Sequence, residues 1–389
     1  MRSVANLNRR LMVMWVVALI MAPGVLVSFP ERANALDPLA PPDVTAEAVY
    51  VFDATLDTVL YEKNADERRS PASLTKIATA LVVLELVPDL NETMIVDQSD
   101  VLDPSDGESM VGLVADDILS FEQMLYGLLI NSGNDVAYAV SRELGQRLLD
   151  QEGSSGDPRA RFVEEMNRYA RDLGLENTNF ENAEGLYAPN HLTTAREFGL
   201  LTKLALEHDL IARIVSTSQT TIESFSAIPV TYYLQTTNKI LGEDGVSGVK
   251  TGTTMQSGAC LIASKASPAG SLIVTVVLGS DIEFTAEGIQ DPDSDRRYSD
   301  TRALFSAIEQ DFVWLSPGDE SLLPGLNSEM QAWDVELSNA NPIILRSNQV
   351  TNLRYVLQLG PPGAPQSEVG AVLLYDGSAL VARRPVIQI

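Results

Sequence analysis

Ser70-Pro71-Ala72-Ser73-Leu74-Thr75-Lys76-Ile77-Ala78-Thr79-Ala80-Leu81-Val82 is the stretch on which the fold turns. Ser70-Pro71 predicts a helix start, with serine as N-cap and proline at the first helical position, and the apolar run from Ala72 to Val87 continues it. On that helix Ser73 and Lys76 stand three residues apart and share a face. Ser73 falls in the first turn, where free N–H groups and the helix dipole favour developing negative charge. Leu74, Ile77, Ala78, Ala80, Leu81 and Val82 surround Lys76 with apolar surface, so its ammonium is expected to be at least partly buried. Desolvation or a nearby cation would lower its pKa and let it serve as a base. Taken alone, Ser-x-x-Lys equally describes the solvated face of a helix.

Working outward, Ala46 to Ala54 and Thr58 to Glu62 predict two strands joined by a tight turn before the helix. After it, helical periodicity dominates from Phe121 to His208, in Phe121–Leu129, Asp135–Leu149, Arg159–Leu173 and Thr194–Glu207. Strand character returns at Gly248–Thr254, Ala259–Ser264 and Ser271–Gly279, and a helix is expected from Arg297 to Asp311. Early strands, a helical block, late strands and a closing helix predict one sheet fed from both ends of a domain. That is an α+β fold with a helical insertion. Beyond Pro317, strand-like Val350–Leu359, Val369–Tyr375 and Ala379–Val386, punctuated by Gly360-Pro361-Pro362-Gly363 and Asp376-Gly377, predict a small β-rich second domain.

The beginning of the chain has another character. Arg2, Arg9 and Arg10 precede the apolar stretch Leu11 to Phe29, which Pro23-Gly24 interrupts, and Ala33-Asn34-Ala35 supplies a small-x-small cleavage pattern. Residues 1–35 are expected to be a signal peptide. The competing reading is an uncleaved anchor at 11–29. Either one delivers the rest of the chain outside the cytoplasm. The expected layout is then a linker over 36–44, a catalytic domain over 45–316 and the β-rich domain over 317–389. The chain ends on strand-like Val386-Ile387-Gln388-Ile389, so membrane contact is expected only if residues 11–29 are retained.

Losing residues 1–35 removes four arginines and one glutamate, moving the formal charge from −26 to −29. So acidic a surface argues against nucleic acid and against docking on anionic lipid. Hydrophobic content of 45% is ordinary for a protein with a sizeable core. The single cysteine, Cys260, excludes an intramolecular disulfide, and Ala259, Leu261 and Ile262 around it predict a buried thiol. His191 and His208, without cysteine or carboxylate spacing, do not suggest a metal site.

Two further segments carry candidate chemistry. Ser132-Gly133-Asn134 separates two predicted helices, and Lys250-Thr251-Gly252-Thr253 lies in a predicted strand, where Gly252 permits close approach of backbone or ligand. Singly, these describe a helix–helix turn and an edge strand. In the order Ser-x-x-Lys, Ser-x-Asn, Lys-Thr-Gly, on helix, inter-helix loop and late strand, they form the signature of penicillin-recognising serine enzymes. The chain resembles the serine D-Ala-D-Ala carboxypeptidases, the low-molecular-mass penicillin-binding proteins of peptidase family S11. The likeness extends to Tyr61-Glu62-Lys63-Asn64-Ala65-Asp66, Leu125-Tyr126-Gly127-Leu128-Leu129, Met166-Asn167 with Leu173-Gly174-Leu175, and His191-Leu192-Thr193-Thr194-Ala195. Residues 45–312 are covered closely; 318–389 resemble the family's C-terminal β domain in length and strand pattern.

The resemblance implies a β-lactamase/transpeptidase-like domain, an antiparallel sheet with helices on both faces. It implies Ser73 as nucleophile, Lys76 as its base and Ser132 as proton carrier to the leaving amine. Asn134 would hold Lys76 and the substrate backbone, and the N–H groups of Ser73 and Thr253 would form the oxyanion hole. Lys250 would help keep Lys76 neutral, while Thr251 and Thr253, beside Gly252, would bind the substrate's terminal carboxylate with Arg297 nearby. The implied substrate is a peptidoglycan stem peptide ending in D-Ala-D-Ala, with β-lactams as covalent inhibitors and no cofactor or metal. A β-lactamase would require a Glu-x-x-Leu-Asn segment, and Glu197 is followed instead by Phe198-Gly199-Leu200-Leu201. A peptidoglycan DD-endopeptidase shares the motifs, and a non-hydrolytic sensor or wall-binding protein would keep the fold without turnover. Thr253-Thr254-Met255-Gln256 departs from the family after Lys-Thr-Gly. The long acidic segment Ser280 to Asp295 would either reshape the site's rim or be an inert surface loop, and the surface loop is expected.

Overall fold

The computed structural model describes residues 42–285, 291–316, 318–339 and 341–389. The expected signal peptide or anchor, and most of the expected linker, lie outside these residues. Among the described residues no helix is long and apolar enough to cross a membrane.

Strands β1 (Ala48–Asp53) and β2 (Thr58–Lys63) form an antiparallel hairpin. Period-two alternation sends Ala48, Tyr50 and Phe52 into one core and Val49 and Val51 into another. Burial on both faces explains why this strand reads as an unbroken apolar run. A 3₁₀ turn over Ala72–Thr75 then leads into α1 (Lys76–Leu86). Here the structure corrects the predicted helix start: Ser70 caps nothing, the α-helix begins four residues late, and Ala72 adopts φ +50°. Neighbouring backbone at Gly185 and Gly252 occupies the approach, and the chain turns sharply to pass between them.

The hairpin β3 (Thr93–Ile95) and β4 (Ile118–Ser120) comes next. Then α2 (Phe121–Leu129) starts on a reciprocal capping box between Ser120 and Gln123. α3 (Asn134–Glu152) stops at Gly153 in the left-handed region, and α4 (Pro158–Asp172) starts with an Asp157 cap and Pro158. Thr194 caps α5 (Ala195–Leu206), which is followed by α6 (Asp209–Val215) and the hairpin β5 (Gln219–Glu223) and β6 (Thr231–Gln235).

β7 (Val246–Thr254), β8 (Gly258–Ala266) and β9 (Leu272–Ser280) complete a sheet of order β2-β1-β9-β8-β7, antiparallel throughout, with β7 at its edge. The helical block packs Leu74, Ile77, Leu81, Phe198 and Leu201 on one face, against Tyr50, Phe52, Ile262 and Val274. On the other face α7 (Arg297–Asp311) packs Leu304, Phe305 and Ile308 against Val49, Val51, Leu261 and Val277. The fold is α+β, with helices on both faces of one antiparallel sheet.

The remainder comprises β10 (Phe312–Leu315), α8 (Leu326–Ala332), β11 (Val335–Leu337), β12 (Ile343–Arg346), β13 (Leu353–Leu359), β14 (Glu368–Asp376) and β15 (Ala379–Gln388). A four-stranded sheet of order β11-β15-β14-β13 covers a third core that includes Leu326, Val372, Leu374 and Val386. The first of the predicted C-terminal strands begins later than Val350, because Ser347–Asn352 form 3₁₀ turns. Trp314 Nε1 donates to the buried Asp53 carboxylate at the end of β1, at 2.8 Å.

Candidate active site

The three motif segments meet at a cleft of about 770 Å³. A Cβ on Gly252 of β7 would lie 2.9 Å from Ser73 N, and one on Gly185 would lie 2.1 Å from Ala72 O. Gly185 also has φ +90°, so both positions require glycine, and between them they fix the turn that carries Ser73. Ser132 sits between α2 and α3 with φ +59°. Left-handed backbone at Ala72 and Ser132 costs on the order of 1–2 kcal/mol each. The surrounding structure holds it: Gly133 N donates to Gly127 O at 3.1 Å, and Asn134 N to Ser109 O at 2.8 Å.

Ser73, Ser132, Asn134, Thr251, Gly252, Thr253 and Arg297 line the cleft. Lys76 and Lys250 lie beneath them, 0% and 1% exposed. Lys76 Nζ donates to Ser73 Oγ at 3.0 Å, to Asn134 Oδ1 at 2.6 Å and to the main-chain oxygen of Glu184 at 2.6 Å. Lys250 Nζ donates to Ser132 Oγ at 2.8 Å and to Thr251 O at 2.9 Å. Thr251 and Thr237 share a hydroxyl–hydroxyl hydrogen bond.

Burial lowers the Lys76 pKa to about 7, against the opposing pull of the Glu184, Glu108 and Asp135 carboxylates. Lys250 is also pushed well below the usual lysine range, first by burial and then by the Lys76 and Arg297 cations. Of the two causes expected for a neutral Lys76, burial and a nearby cation, burial is the one that lowers its pKa here. Two serine hydroxyls, each in contact with a buried lysine across one cleft, can exchange protons with a bond held between them.

Arg297 is buried, anchored on Asp295 by Nε at 2.8 Å, and its Nη1 donates to Gly252 O at 2.9 Å and to Cys260 O at 3.1 Å. Its Nη2 donates to Thr253 Oγ1 at 2.5 Å. Phe284, Pro292 and Asp295 also line the cleft. The described ends of the acidic segment before α7 thus form part of the rim, the reading that the sequence placed second. Cys260 is buried, and burial pushes its thiol pKa up.

His191 is a brace. Burial lowers its pKa to about 4, so its ring is neutral near pH 7. Nδ1 accepts from Glu181 N at 3.0 Å, which leaves the proton on Nε2, facing Thr75 Oγ1 at 2.8 Å. Thr75 in turn donates to Ala72 O at 2.8 Å. Sequence reasoning missed Glu108, Glu184, Gly185 and Thr237, all within this site. Each lies in a loop without periodicity or spacing to mark it.

A family model described as D-alanyl-D-alanine carboxypeptidase, peptidase S11, matches residues 36–282. The chain is 31% identical over 238 residues to the D-alanyl-D-alanine carboxypeptidase DacF of Bacillus subtilis, covering 60% of this chain and 57% of that protein. It is also 31% identical over 269 residues to a D-alanyl-D-alanine carboxypeptidase of Streptomyces sp. (strain K15), covering 67% and 88%. The first match thus spans little more than half of the relative's length. Among solved structures, penicillin binding protein 6B from Escherichia coli superposes with a TM-score of 0.66 over 91% of this chain and 99% of that one. At 24% identity this is a likeness of fold.

Proposed function

This chain belongs to the D-alanyl-D-alanine carboxypeptidase family of serine peptidases, and from that premise we propose that it removes the terminal D-Ala from peptidoglycan stem peptides through an ester on Ser73. The observation that carries the proposal is the buried Lys76 ammonium, 3.0 Å from Ser73 Oγ and fixed on Asn134. Neutral Lys76 takes the hydroxyl proton as Ser73 Oγ attacks the carbonyl carbon between the two D-alanines. The N–H groups of Ser73 and Thr253 receive the oxyanion. As the C–N bond breaks, Ser132 passes a proton to the departing amine and is resupplied through Lys250. Lys76 returns the proton it took to the Ser132–Lys250 pair and is neutral again; water then attacks the ester, Lys76 takes water's proton, and it hands that proton to Ser73 Oγ as the ester C–O bond breaks. These steps use side chains and backbone alone. β-Lactams acylate the same oxygen, and the ester they leave hydrolyses slowly.

Lys250, Thr251 and Thr253 account for a preference for a free terminal carboxylate, with Arg297 orienting the Thr253 hydroxyl. Asn134 holds the substrate backbone as well as Lys76. The substrate implies an extracytoplasmic site of action, as does the basic and apolar character of residues 1–35.

The test is release of D-Ala from a pentapeptide ending in D-Ala-D-Ala, with Ser73→Ala as control. Wild type is expected to release D-Ala and to be labelled by fluorescent penicillin, and the variant to do neither. Labelling without release would overturn the carboxypeptidase assignment in favour of a sensor, and rapid turnover of a chromogenic cephalosporin would favour a β-lactamase.

A further inference from the structure

Glu108 belongs to none of the three motifs. It lies half-buried on the cleft wall, at the start of a loop whose Val111, Gly112 and Leu113 N–H groups donate to the buried Asp135 carboxylate at 3.0, 2.8 and 3.0 Å. Glu108 Oε2 accepts from Asn134 Nδ2 at 2.6 Å, and the other end of that amide accepts from Lys76 Nζ at 2.6 Å. A side-chain amide has a donating end and an accepting end, whereas a carboxylate only accepts and an ammonium only donates. Glu108 therefore permits a single orientation of Asn134. A flipped amide would set its NH₂ against the Lys76 ammonium and its oxygen against the Glu108 carboxylate.

Resting on the assignment of Ser73 and Lys76 as nucleophile and base, we infer that Glu108 is a positioning residue for acylation: it locks the Asn134 amide so that Lys76 stays on Ser73, and its charge, with those of Glu184 and Asp135, favours the ammonium form of Lys76. Other charged groups also face Lys76. Glu184 adjoins it through its main-chain oxygen, Asp135 stands at the start of α3, and Lys250 lies on β7 with Arg297 behind it. Glu184 and Asp135 are buried, so neutralising either would disturb packing. Glu108 is half-buried at the cleft wall beside Asn134, where a substitution can neutralise it without emptying the core.

Glu108→Gln keeps an acceptor for Asn134 and removes the charge, while Glu108→Ala removes both. The rate of Ser73 labelling by fluorescent penicillin is measured from about pH 5 to about pH 9, across the range in which a base of this kind titrates. A carboxylate favours the ammonium form, so its loss lowers the Lys76 pKa. In Glu108→Gln the rising limb is expected to move to lower pH by about half a unit or more, because the charge is gone while an acceptor for Asn134 is kept. In Glu108→Ala the same shift is expected with a plateau lower by about tenfold or more. Limbs and plateaus coinciding with wild type in both variants would overturn the inference. The limb of Glu108→Gln decides, because partial loss of fold lowers a plateau without moving a titration. If wild type is not labelled at any pH, the assignment of Ser73 fails instead.

Discussion

At the scale of single residues, function here opposes stability. Lys76 has no exposed surface, and burying an ammonium is costly even with three oxygen acceptors around it. Lys76→Met fills the same space without the charge, though it leaves the Asn134 and Glu184 oxygens without that donor. These effects oppose, and the melting midpoint is expected to stay within about 5 °C of wild type. Penicillin labelling of the same variant is expected to fall by about a hundredfold or more. In wild type the neutral form of Lys76 prevails above its pKa of about 7, so acylation should rise with pH through that value. That Ser73, Lys76, Ser132, Asn134 and Lys250 meet in one place was legible in the sequence, because the motifs set them at fixed intervals on fixed elements. Glu108 and Glu184 were not. They act across space from loops, where spacing along the chain says nothing of distance.

Elements that announce their ends were legible, and those shaped by neighbours were not. α2 and α7 occupy the residues that their periodicity predicts, and a capping box marks the start of α2 in the sequence itself. The hairpins β3–β4 and β5–β6 have strands of three to five residues, too short for an alternation to show. The start of α1 failed for a different reason: Ser70-Pro71 is a good local cap signal, but tertiary contacts at Gly185 and Gly252 dictate another path. Gly185→Ala tests that account. Its new methyl would meet Ala72 O and adopt a left-handed φ, so the turn must shift. A stability loss of about 2 kcal/mol or more in urea is expected, with penicillin labelling reduced by about tenfold or more. Unchanged labelling would mean that the turn is fixed by something else.

For the whole molecule, the α+β class followed from the order of predicted elements, whereas the contact between its two ends did not. Trp314, just beyond α7, donates to Asp53 of β1, which also accepts from Ser271, Thr55 and Leu56. Trp314→Phe is expected to cost about 1–3 kcal/mol in urea unfolding, since it removes a hydrogen bond to a buried carboxylate, while kcat/KM on the pentapeptide stays within about twofold. A larger fall in kcat/KM would show that this junction reaches the cleft. The pairing of Ala48–Asp53 with Ile273–Leu278 has a consequence for how the protein comes into being. A chain made from its N-terminus carries Ser73 and Lys76 early, but β1 and β2 have no sheet to join until β9 exists, and loop closure of that length is slow. The Ser73 proposed above as nucleophile is thus carried by the growing polypeptide without its completed sheet until β9, the strand that joins β1 to β8, has been made.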